Sequence, residues 1–211
     1  MITLVGTLKG GTGKSTVAFN LAVWLSKTDT PVTVIDLDPQ CTLLDVGQVR
    51  KEEGWRPALT IHDASVLTDD LGEDGSEVII DVGTADMDAM KRAVLLADRV
   101  LVPVPPSQAD VWSTQAFIDM VLKVADPGRV PEIICFINRA DTHPAVFETV
   151  ETAAALVALP NVQYLKRRLC QRLPYRRSFS EGMAVFELEP RGKAAAELTA
   201  LAASLYPGAL V

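Results

Sequence analysis

Short apolar segments alternate along this chain with longer segments in which apolar residues recur every three or four positions. The apolar segments are rich in Val and Ile, as expected of strands that are buried on both faces. They lie at residues 2–8, 31–35, 77–82, 99–104, 132–137 and, as a short strand, 162–165. The helical spacing predicts helices at residues 17–25, 87–96, 108–125, 144–157 and 191–205, with shorter ones at 43–51 and 61–67. This alternation predicts an α/β fold in three layers, with a mostly parallel central sheet and helices on both faces.

Length and composition favour one globular domain. The 211 residues match the size of a single α/β domain, so we assign residues 1–211 to one domain. Apolar residues make up 48% and charged residues 22% of the chain, which excludes a disordered protein. The net charge of −7 argues against a surface that coats nucleic acid everywhere, but it leaves room for a local basic patch. The three cysteines are widely spaced, which indicates neither a disulfide framework nor a metal cage.

The segment between the first strand and the first helix carries the strongest chemical signal. It reads Lys-Gly-Gly-Thr-Gly-Lys-Ser-Thr at residues 9–16. Glycines let successive backbone N–H groups face one concavity, with the positive end of a helix dipole behind them. A glycine-rich turn between a strand and a helix is the context of a phosphate-binding loop. We expect nucleotide contacts from Gly10, Gly11, Thr12, Gly13, Lys14, Ser15 and Thr16.

Two side chains of this loop have defined tasks in such a site. Lys14 would reach the β- and γ-phosphates, and the hydroxyl of Ser15 would bind Mg²⁺. The ordinary pattern asks for glycine at position 8, where this chain has Leu8. Instead, a further lysine, Lys9, precedes the glycine pair. A chance glycine-rich turn is the alternative, and the number of constrained residues argues against it.

This arrangement resembles the deviant Walker A motif, K-G-G-x-G-K-[ST]-[ST], of the ParA/MinD superfamily of dimeric ATPases, and within it the small ParF-like partition ATPases. The resemblance extends over essentially the whole chain and implies the three-layer fold of P-loop NTPases. It also implies that Lys9 reaches across a homodimer to the partner's phosphates, as an arginine finger does in trans. Lys9 and Lys14 are therefore catalytic candidates, with ATP and Mg²⁺ as the ligands.

Three aspartates follow predicted strands, at the edge of a parallel sheet that faces the ligand crevice. Asp36 and Asp38 lie in the sequence Asp-Leu-Asp-Pro-Gln, and Asp81 matches a Walker B pattern. The resemblance implies that Asp38 orients the attacking water or the magnesium environment, and that Asp36 supports the metal shell. Asp81 would hold Mg²⁺ through water. A solvated turn is the alternative for the first two, and Gly83 stands where relatives often have proline.

A further candidate for nucleotide contact is Asn138, which follows the strand at 132–137. The family often places a residue that reads adenine at this point, and a turn-forming role is the alternative. The segment at 102–112 resembles the family's link between strand and helix, where prolines shape a loop near the dimer interface. Capping of the next helix by Ser107 explains the same residues equally well.

A basic segment lies late in the chain, because no acidic residue occurs between Glu151 and Glu181. In a protein of net charge −7 this concentrates positive potential in one region, although a solvated basic face is the alternative. ParA-type ATPases bind DNA without sequence preference through late basic residues, so the resemblance implies contacts to DNA phosphates. The candidates are Lys166, Arg167, Arg168, Arg172, Arg176 and Arg177.

These signals predict a slow ATPase of the ParA type, cytoplasmic and associated with the nucleoid. It would dimerise on ATP, bind nonspecific DNA and be stimulated by a ParB-like partner, for a plasmid, chromosome or protein assembly as cargo. A MinD-like regulator at a membrane surface is the alternative, which a basic amphipathic C-terminal helix would indicate. Residues 206–211 carry no cation, so we expect no membrane contact. A metabolic P-loop ligase or kinase is disfavoured by Lys9 together with the basic segment.

Overall fold

The computed structural model describes residues 1–28, 30–68, 71–72, 75–143 and 146–209. The strands within these residues are β1 Ile2–Val5, β2 Val32–Asp36, β3 Ile61–His62, β4 Glu77–Asp81, β5 Arg99–Val104, β6 Glu132–Ile137 and β7 Gln163–Tyr164. They form one parallel sheet in the order β3-β2-β4-β1-β5-β6-β7. The predicted α/β fold with a central parallel sheet is confirmed.

Helices cover both faces of this sheet. Among the described residues they are α1 Lys14–Leu25, α2 Thr42–Glu52, α3 Met87–Leu96, α4 Gln108–Val124, α5 Phe147–Ala158, α6 Leu173–Ser180, α7 Val185–Leu188 and α8 Lys193–Leu205. Helices α3, α4 and α5 contribute to the apolar core on one face, and α1, α2, α6, α7 and α8 to the core on the other. None of the helices in the described residues is long and apolar enough to cross a membrane.

The two cores meet at the central strands, because successive residues of a strand point to opposite faces. In β1, Leu4 belongs to one core and Val5 to the other, and both are fully buried. In β4, Ile79 and Ile80 divide in the same way. Burial of each such side chain contributes about 2 kcal/mol to folding. The strand ends that carry the candidate site are therefore held by a core on each side.

The short helix predicted at 61–67 is wrong. Ile61 and His62 instead form β3, which pairs in parallel with Val34 and Ile35 of β2. A single 3-10 turn follows, and Asp63 begins it by accepting a hydrogen bond from the backbone N–H of Ser65 at 2.8 Å. The apolar residues of this segment recur at the spacing of a helix. Residues 61 and 62 pair with the edge of the sheet instead, because this pairing provides hydrogen-bond partners for their backbone N–H and C=O groups.

Two further differences between the predicted and the observed helices lie in the second half of the chain. The helix predicted at 144–157 is observed as α5, while residues 144 and 145 lie outside the described part of the chain. Helices α6 and α7 were not predicted, because both are short and α6 is rich in polar residues. Pro174 in the first turn of α6 is the signal that could have indicated its start.

Candidate nucleotide-binding site

The predicted phosphate loop connects β1 to α1 at the carboxyl edge of the sheet. Gly11 and Gly13 both have a positive φ, of 74° and 92°, which side chains rarely tolerate. Gly13 is required for a second reason, since a Cβ there would lie 2.5 Å from Nδ2 of Asn138. Gly10 is exposed, and a Cβ there would meet nothing within 4 Å. The loop thus presents its backbone and the N-terminus of α1 to the same side, as anion binding requires.

Side chains hold this loop in place from beneath. Thr7 Oγ1 donates a hydrogen bond to the carbonyl of Lys9 at 2.8 Å and lies 3.2 Å from Oγ1 of Thr12. Asn138 donates from Nδ2 to the carbonyl of Thr12 at 2.7 Å, and Arg139 donates to the carbonyl of Gly11. These contacts fix the carbonyls of Lys9, Thr12 and Gly11 and so hold the loop in its shape.

Asn138 was predicted as a residue that reads adenine, and its observed bond gives it a different task in the protein alone. Its side chain is buried beneath the loop and its amide nitrogen is committed to Thr12. Arg139 was not identified from the sequence at all. It has φ of +57°, which is uncommon for a residue other than glycine, and its Nε donates to Oε1 of Gln171 at 2.7 Å. Arg139 therefore ties the loop to the segment around residue 171.

Lys14 begins α1 and is almost fully buried. Burial lowers its pKa, while the nearby carboxylates of Asp81 and Asp38 act in the opposite direction. A buried ammonium that faces carboxylates and lies at a helix N-terminus is suited to hold an anionic group such as a phosphate. The predicted location of Lys14 at the centre of the site is therefore consistent with its surroundings.

Asp81 ends β4 and is fully buried. Neither of its carboxylate oxygens has a hydrogen-bond partner within normal distance and angle among the described residues. Burial raises its pKa to about 7; the Ser15 hydroxyl nearby lowers the pKa, and the charge of Asp36 raises it. A buried carboxylate without a partner is costly, and a bound cation would remove that cost. Asp81 and Ser15 therefore fit a divalent cation.

The side chains that could coordinate a cation indicate which kind of ion the site can bind. Among the described residues, no three acidic, histidine or cysteine side chains are grouped as direct ligands of one ion. This is compatible with the predicted arrangement, in which Asp81 holds Mg²⁺ through water and Asp36 and Asp38 belong to its surroundings. Mg²⁺ keeps much of its water shell and commonly takes one or two protein oxygens with substrate phosphates, so Asp81 and Ser15 are sufficient for it.

Asp36 has a structural task at this site. Its Oδ2 accepts hydrogen bonds from the backbone N–H groups of Leu43 and Leu44 at 2.9 and 3.0 Å, and its Oδ1 accepts from Asp38 N at 2.9 Å. Burial raises the pKa of Asp36, and these backbone bonds oppose that effect. Asp36 thus fixes the loop that carries Asp38 to the first turn of α2, which matches a supporting role and not that of a direct ligand.

Asp38 lies closer to the surface and is placed by two neighbours. Its Oδ1 accepts a hydrogen bond from Gln40 N at 3.0 Å. Gly83 lies against its carboxyl group, so a Cβ at position 83 would be 2.7 Å from Cγ of Asp38. Glycine at position 83 therefore leaves space for the carboxylate of Asp38.

Lys9 is placed apart from Lys14. Its side chain is 45% exposed, and its Nζ lies 2.9 Å from Oδ1 of Asp110 in α4. Asp110 is buried in the first turn of that helix, where Ser107 caps the helix as predicted. The two lysines of one loop thus have different surroundings, one inside the site and one at its outer rim.

A cleft of about 280 Å³ opens beside the phosphate loop. It is lined by Gly13, Thr16 and Asn138 at the loop, by the segment at 169–172, and by Tyr175 and Leu198. The cleft is next to the loop and has apolar as well as polar walls, which suits a nucleoside attached to the phosphates. The sequence did not indicate Tyr175 or Leu198, because both belong to helices whose contact with the loop depends on the whole fold.

The structure divides the six predicted DNA-binding cations into two groups. Five of them, Lys166, Arg167, Arg168, Arg176 and Arg177, are exposed, whereas Arg172 is partly buried; Arg172 and Arg176 also line the cleft. Arg172 is paired with Glu197 of α8, with Nη2 2.6 Å from Oε1. Glu197, an acid outside the basic segment in sequence, thus compensates the charge of Arg172, and contact of Arg172 with DNA stays a prediction. The Arg172 guanidinium holds the pKa of Glu197 below the usual range, against the effect of burial.

Comparison with known proteins agrees with this geometry. Residues 2–185 match the family model described as the CobQ/CobB/MinD/ParA nucleotide binding domain, and the chain belongs to this family of P-loop ATPases. The chain is 27% identical over 198 residues to maintenance of carboxysome distribution protein A of Halothiobacillus neapolitanus, covering 92% of this chain and 90% of that protein. It is 27% identical over 155 residues to protein ParA of Rhizobium radiobacter, covering 72% and 66%.

Solved structures share the fold. The apo McdA structure of Cyanothece has a TM-score of 0.76 at 18% identity, covering 97% of this chain and 98% of that one. The MinD cell division protein of Aquifex aeolicus has a TM-score of 0.75 at 15% identity, covering 100% and 98%. A ParA family ATPase from Chlorobium tepidum has a TM-score of 0.70 at 17% identity, covering 97% and 98%. These structures agree in fold, and the family match over residues 2–185 confirms the predicted membership of the ParA/MinD superfamily.

Proposed function

We propose that this protein is a ParA-type ATPase that forms a homodimer when it binds ATP and Mg²⁺ and releases the dimer on hydrolysis. The position of Lys9 carries the proposal. Lys14 already serves the phosphates of its own protomer from a buried position, whereas the ammonium of Lys9 lies at the exposed rim of the same loop. A second lysine at the rim is suited to add positive charge to the site of another subunit.

The residues of the site divide the work of hydrolysis. The loop backbone and Lys14 would bind the phosphates, and the cleft beside Tyr175 would take the base. Asp81 and Ser15 would hold Mg²⁺, which neutralises charge on the β- and γ-phosphates when bound. Asp38 would orient the attacking water, while Gly83 and the backbone keep its carboxylate in place. Turnover is slow until a second protomer completes the site, because catalysis here depends on positioning.

Substitution of Lys9 tests this proposal. We expect Lys9→Ala to bind ATP within about threefold of the unmodified protein, because Lys14 and the loop backbone remain. We expect it to lose the dimer that forms with Mg²⁺ and a slowly hydrolysed ATP analogue, as measured by light scattering after gel filtration. Lys123→Ala removes an exposed lysine of α4 and serves as the control. A Lys9→Ala protein that still dimerises and hydrolyses normally contradicts the proposal.

We further propose that the dimer binds DNA phosphates through the exposed cations Lys166, Arg167 and Arg168. The supporting observation is that they are exposed and consecutive, near the carboxyl end of β7. Their charges are not compensated by acidic residues nearby in sequence. Such contacts are independent of sequence and weaken with salt.

Charge reversal tests the DNA proposal. The double variant Arg167→Glu/Arg168→Glu should reduce ATP-dependent retention of DNA by about tenfold at moderate salt and should lower the slope of affinity against salt concentration. The control Lys91→Glu/Lys123→Glu carries the same change in charge at exposed positions of α3 and α4. Equal losses in both variants would indicate an effect of net charge, and unchanged retention would return the segment to a solvated face.

The partner we propose is a ParB-like adaptor that stimulates hydrolysis and connects the dimer to a cargo. The name of one relative gives one kind of cargo, a carboxysome. The resemblance to ParA-type partition ATPases implies another, a plasmid or chromosome. Imaging of the tagged chain in its own cells beside a plasmid marker and a carboxysome marker tests both. Foci that follow one marker identify the cargo, and a membrane pattern would favour the MinD-like alternative.

A further inference from the structure

A salt bridge within one protomer occupies the side chain that the proposed function assigns to the partner subunit. Nζ of Lys9 lies 2.9 Å from Oδ1 of Asp110. Lys9 belongs to the phosphate loop and Asp110 to the first turn of α4, so the pair connects two elements that are distant in sequence. In this position the ammonium of Lys9 lies against α4 of its own protomer. It must therefore leave Asp110 to approach the phosphates of a second subunit.

Asp110 is the fixed member of the pair. Its side chain is 9% exposed, and its Oδ2 accepts a hydrogen bond from the hydroxyl of Ser107. The same hydroxyl accepts a hydrogen bond from Asp110 N at 3.1 Å. A carboxylate in the first turn of a helix is also stabilised by the positive end of the helix dipole. These contacts use both carboxylate oxygens and leave the group little freedom to follow a moving lysine.

Lys9 is the member that can move. Its backbone is held, because Thr7 Oγ1 donates to its carbonyl at 2.8 Å. Its side chain is 45% exposed, and the ion pair with Asp110 is the salt bridge that it makes within the described residues. Rotation about its side-chain bonds can therefore carry the ammonium away from Asp110 without a change in the loop.

We propose that Asp110 is a positioning residue that holds Lys9 within its own protomer until a second ATP-bound copy arrives. The inference rests on the proposed dimer. It predicts that Asp110 opposes dimerisation, because each protomer must break this pair before its lysine can cross. One partly exposed pair changes an equilibrium by about threefold, so two pairs change the dimerisation constant by about tenfold.

The pair itself can be tested without nucleotide or dimer. Acetylation of lysines by N-hydroxysuccinimide acetate, followed by mass spectrometry, gives the rate at Lys9 in the nucleotide-free protein. Asp110→Asn keeps a group that can accept the Ser107 hydrogen bond but removes the charge, and we expect Lys9 to react about threefold faster in it. Asp119→Asn changes an exposed acid of the same helix and is the control. Equal rates at Lys9 in all three proteins overturn the inference and leave the proposed dimer unaffected.

The consequence for assembly is tested by sedimentation with Mg²⁺ and a slowly hydrolysed ATP analogue. Asp110→Asn should dimerise about tenfold more tightly than the unmodified protein, and this gain should vanish when Lys9→Ala is also present. Ser107→Ala, which frees the carboxylate without removing it, should shift dimerisation in the same direction by less. Weaker dimerisation of Asp110→Asn would mean that Asp110 assists the lysine, which overturns the restraint. If Lys9 is protected from acetylation but no ATP-dependent dimer forms in any variant, the proposed function fails and the pair is only a static contact.

Discussion

The two lysines of the phosphate loop have identical side chains but differ in burial, and this difference suits them to different roles. Lys14 is buried at the start of α1 and faces the carboxylates of Asp81 and Asp38. Lys9 is half exposed at the rim and pairs with Asp110 on another helix. The inner lysine is enclosed in the site, and the proposed function gives it one ligand, the phosphates of its own protomer. The outer lysine has an exchangeable partner, which is the property required of a group that acts on a second subunit.

The largest expected effect comes from removing the inner lysine. Lys14→Ala should lower ATP affinity by about a hundredfold, because it deletes a charge-assisted contact to the phosphates from a desolvated site. Lys9→Ala should change the same affinity by about threefold at most. Isothermal titration calorimetry of the two variants side by side measures both. Equal losses would erase the distinction between the inner and the outer lysine.

The carboxylate that faces Lys14 provides a second test, through the pH dependence of stability. The pKa of Asp81 is raised from its ordinary value of 3.8 to about 7, so the folded protein binds this proton more tightly than the unfolded chain. The free energy of unfolding of the nucleotide-free protein should therefore fall as pH rises from about 4 to about 7, by at most about 4 kcal/mol, and level off above.

Urea unfolding across this pH range, compared with Asp81→Asn, isolates the contribution of Asp81. The difference in stability between the two proteins should grow in favour of the variant as pH rises, since the amide carries no charge. Ser15→Ala should extend the falling region to higher pH, because the Ser15 hydroxyl lowers the pKa of Asp81. A constant difference between the unmodified protein and Asp81→Asn would show that the buried carboxylate is already compensated.

A smaller effect, on kcat, is expected from a substitution in the loop after β4, which lies against Asp38. Gly83→Ala would bring a Cβ within 2.7 Å of the Asp38 carboxyl carbon and displace that group. We expect kcat to fall by about tenfold with ATP affinity unchanged, because only the orientation of the attacking water is disturbed. Gly208→Ala, which adds a Cβ in open space, is the control. An unchanged kcat would remove Asp38 from the proposed catalytic role.

The smallest expected effect comes from a comparison of paired and unpaired cations in the basic segment. Arg172→Gln breaks the pair with Glu197, which is about one fifth exposed on each side, and should reduce the free energy of unfolding by about 1 kcal/mol. DNA retention should stay within experimental error, in contrast to the Arg167→Glu/Arg168→Glu variant. A loss of DNA binding in Arg172→Gln would show that this arginine leaves Glu197 in the complex.

Local sequence patterns were sufficient for six of the seven strands in the described residues, for most helices and for the loop at residues 9–16. Continuous apolar strands and a glycine-rich turn are encoded in neighbouring residues, so a short window contains the signal. The pairs that define the roles of side chains are not local. The ion pairs of Asp110 with Lys9 and of Glu197 with Arg172 form only after the helices pack. Gly83 illustrates the same limit, because the reason for glycine is the carboxylate of Asp38 on another strand's loop.

Subunit exchange between two inactive variants tests whether Lys9 acts on the site of another subunit. Lys9→Ala has an intact pocket but no crossing lysine, and Asp38→Ala has the lysine but a defective pocket. Mixed in equal amounts, they should form heterodimers with one complete site, giving more ATPase activity than the two separate variants and at most about a quarter of that of the unmodified protein at the same total concentration. Activity no greater than the sum of the two separate variants would contradict the account, because it would mean that no lysine crosses between subunits.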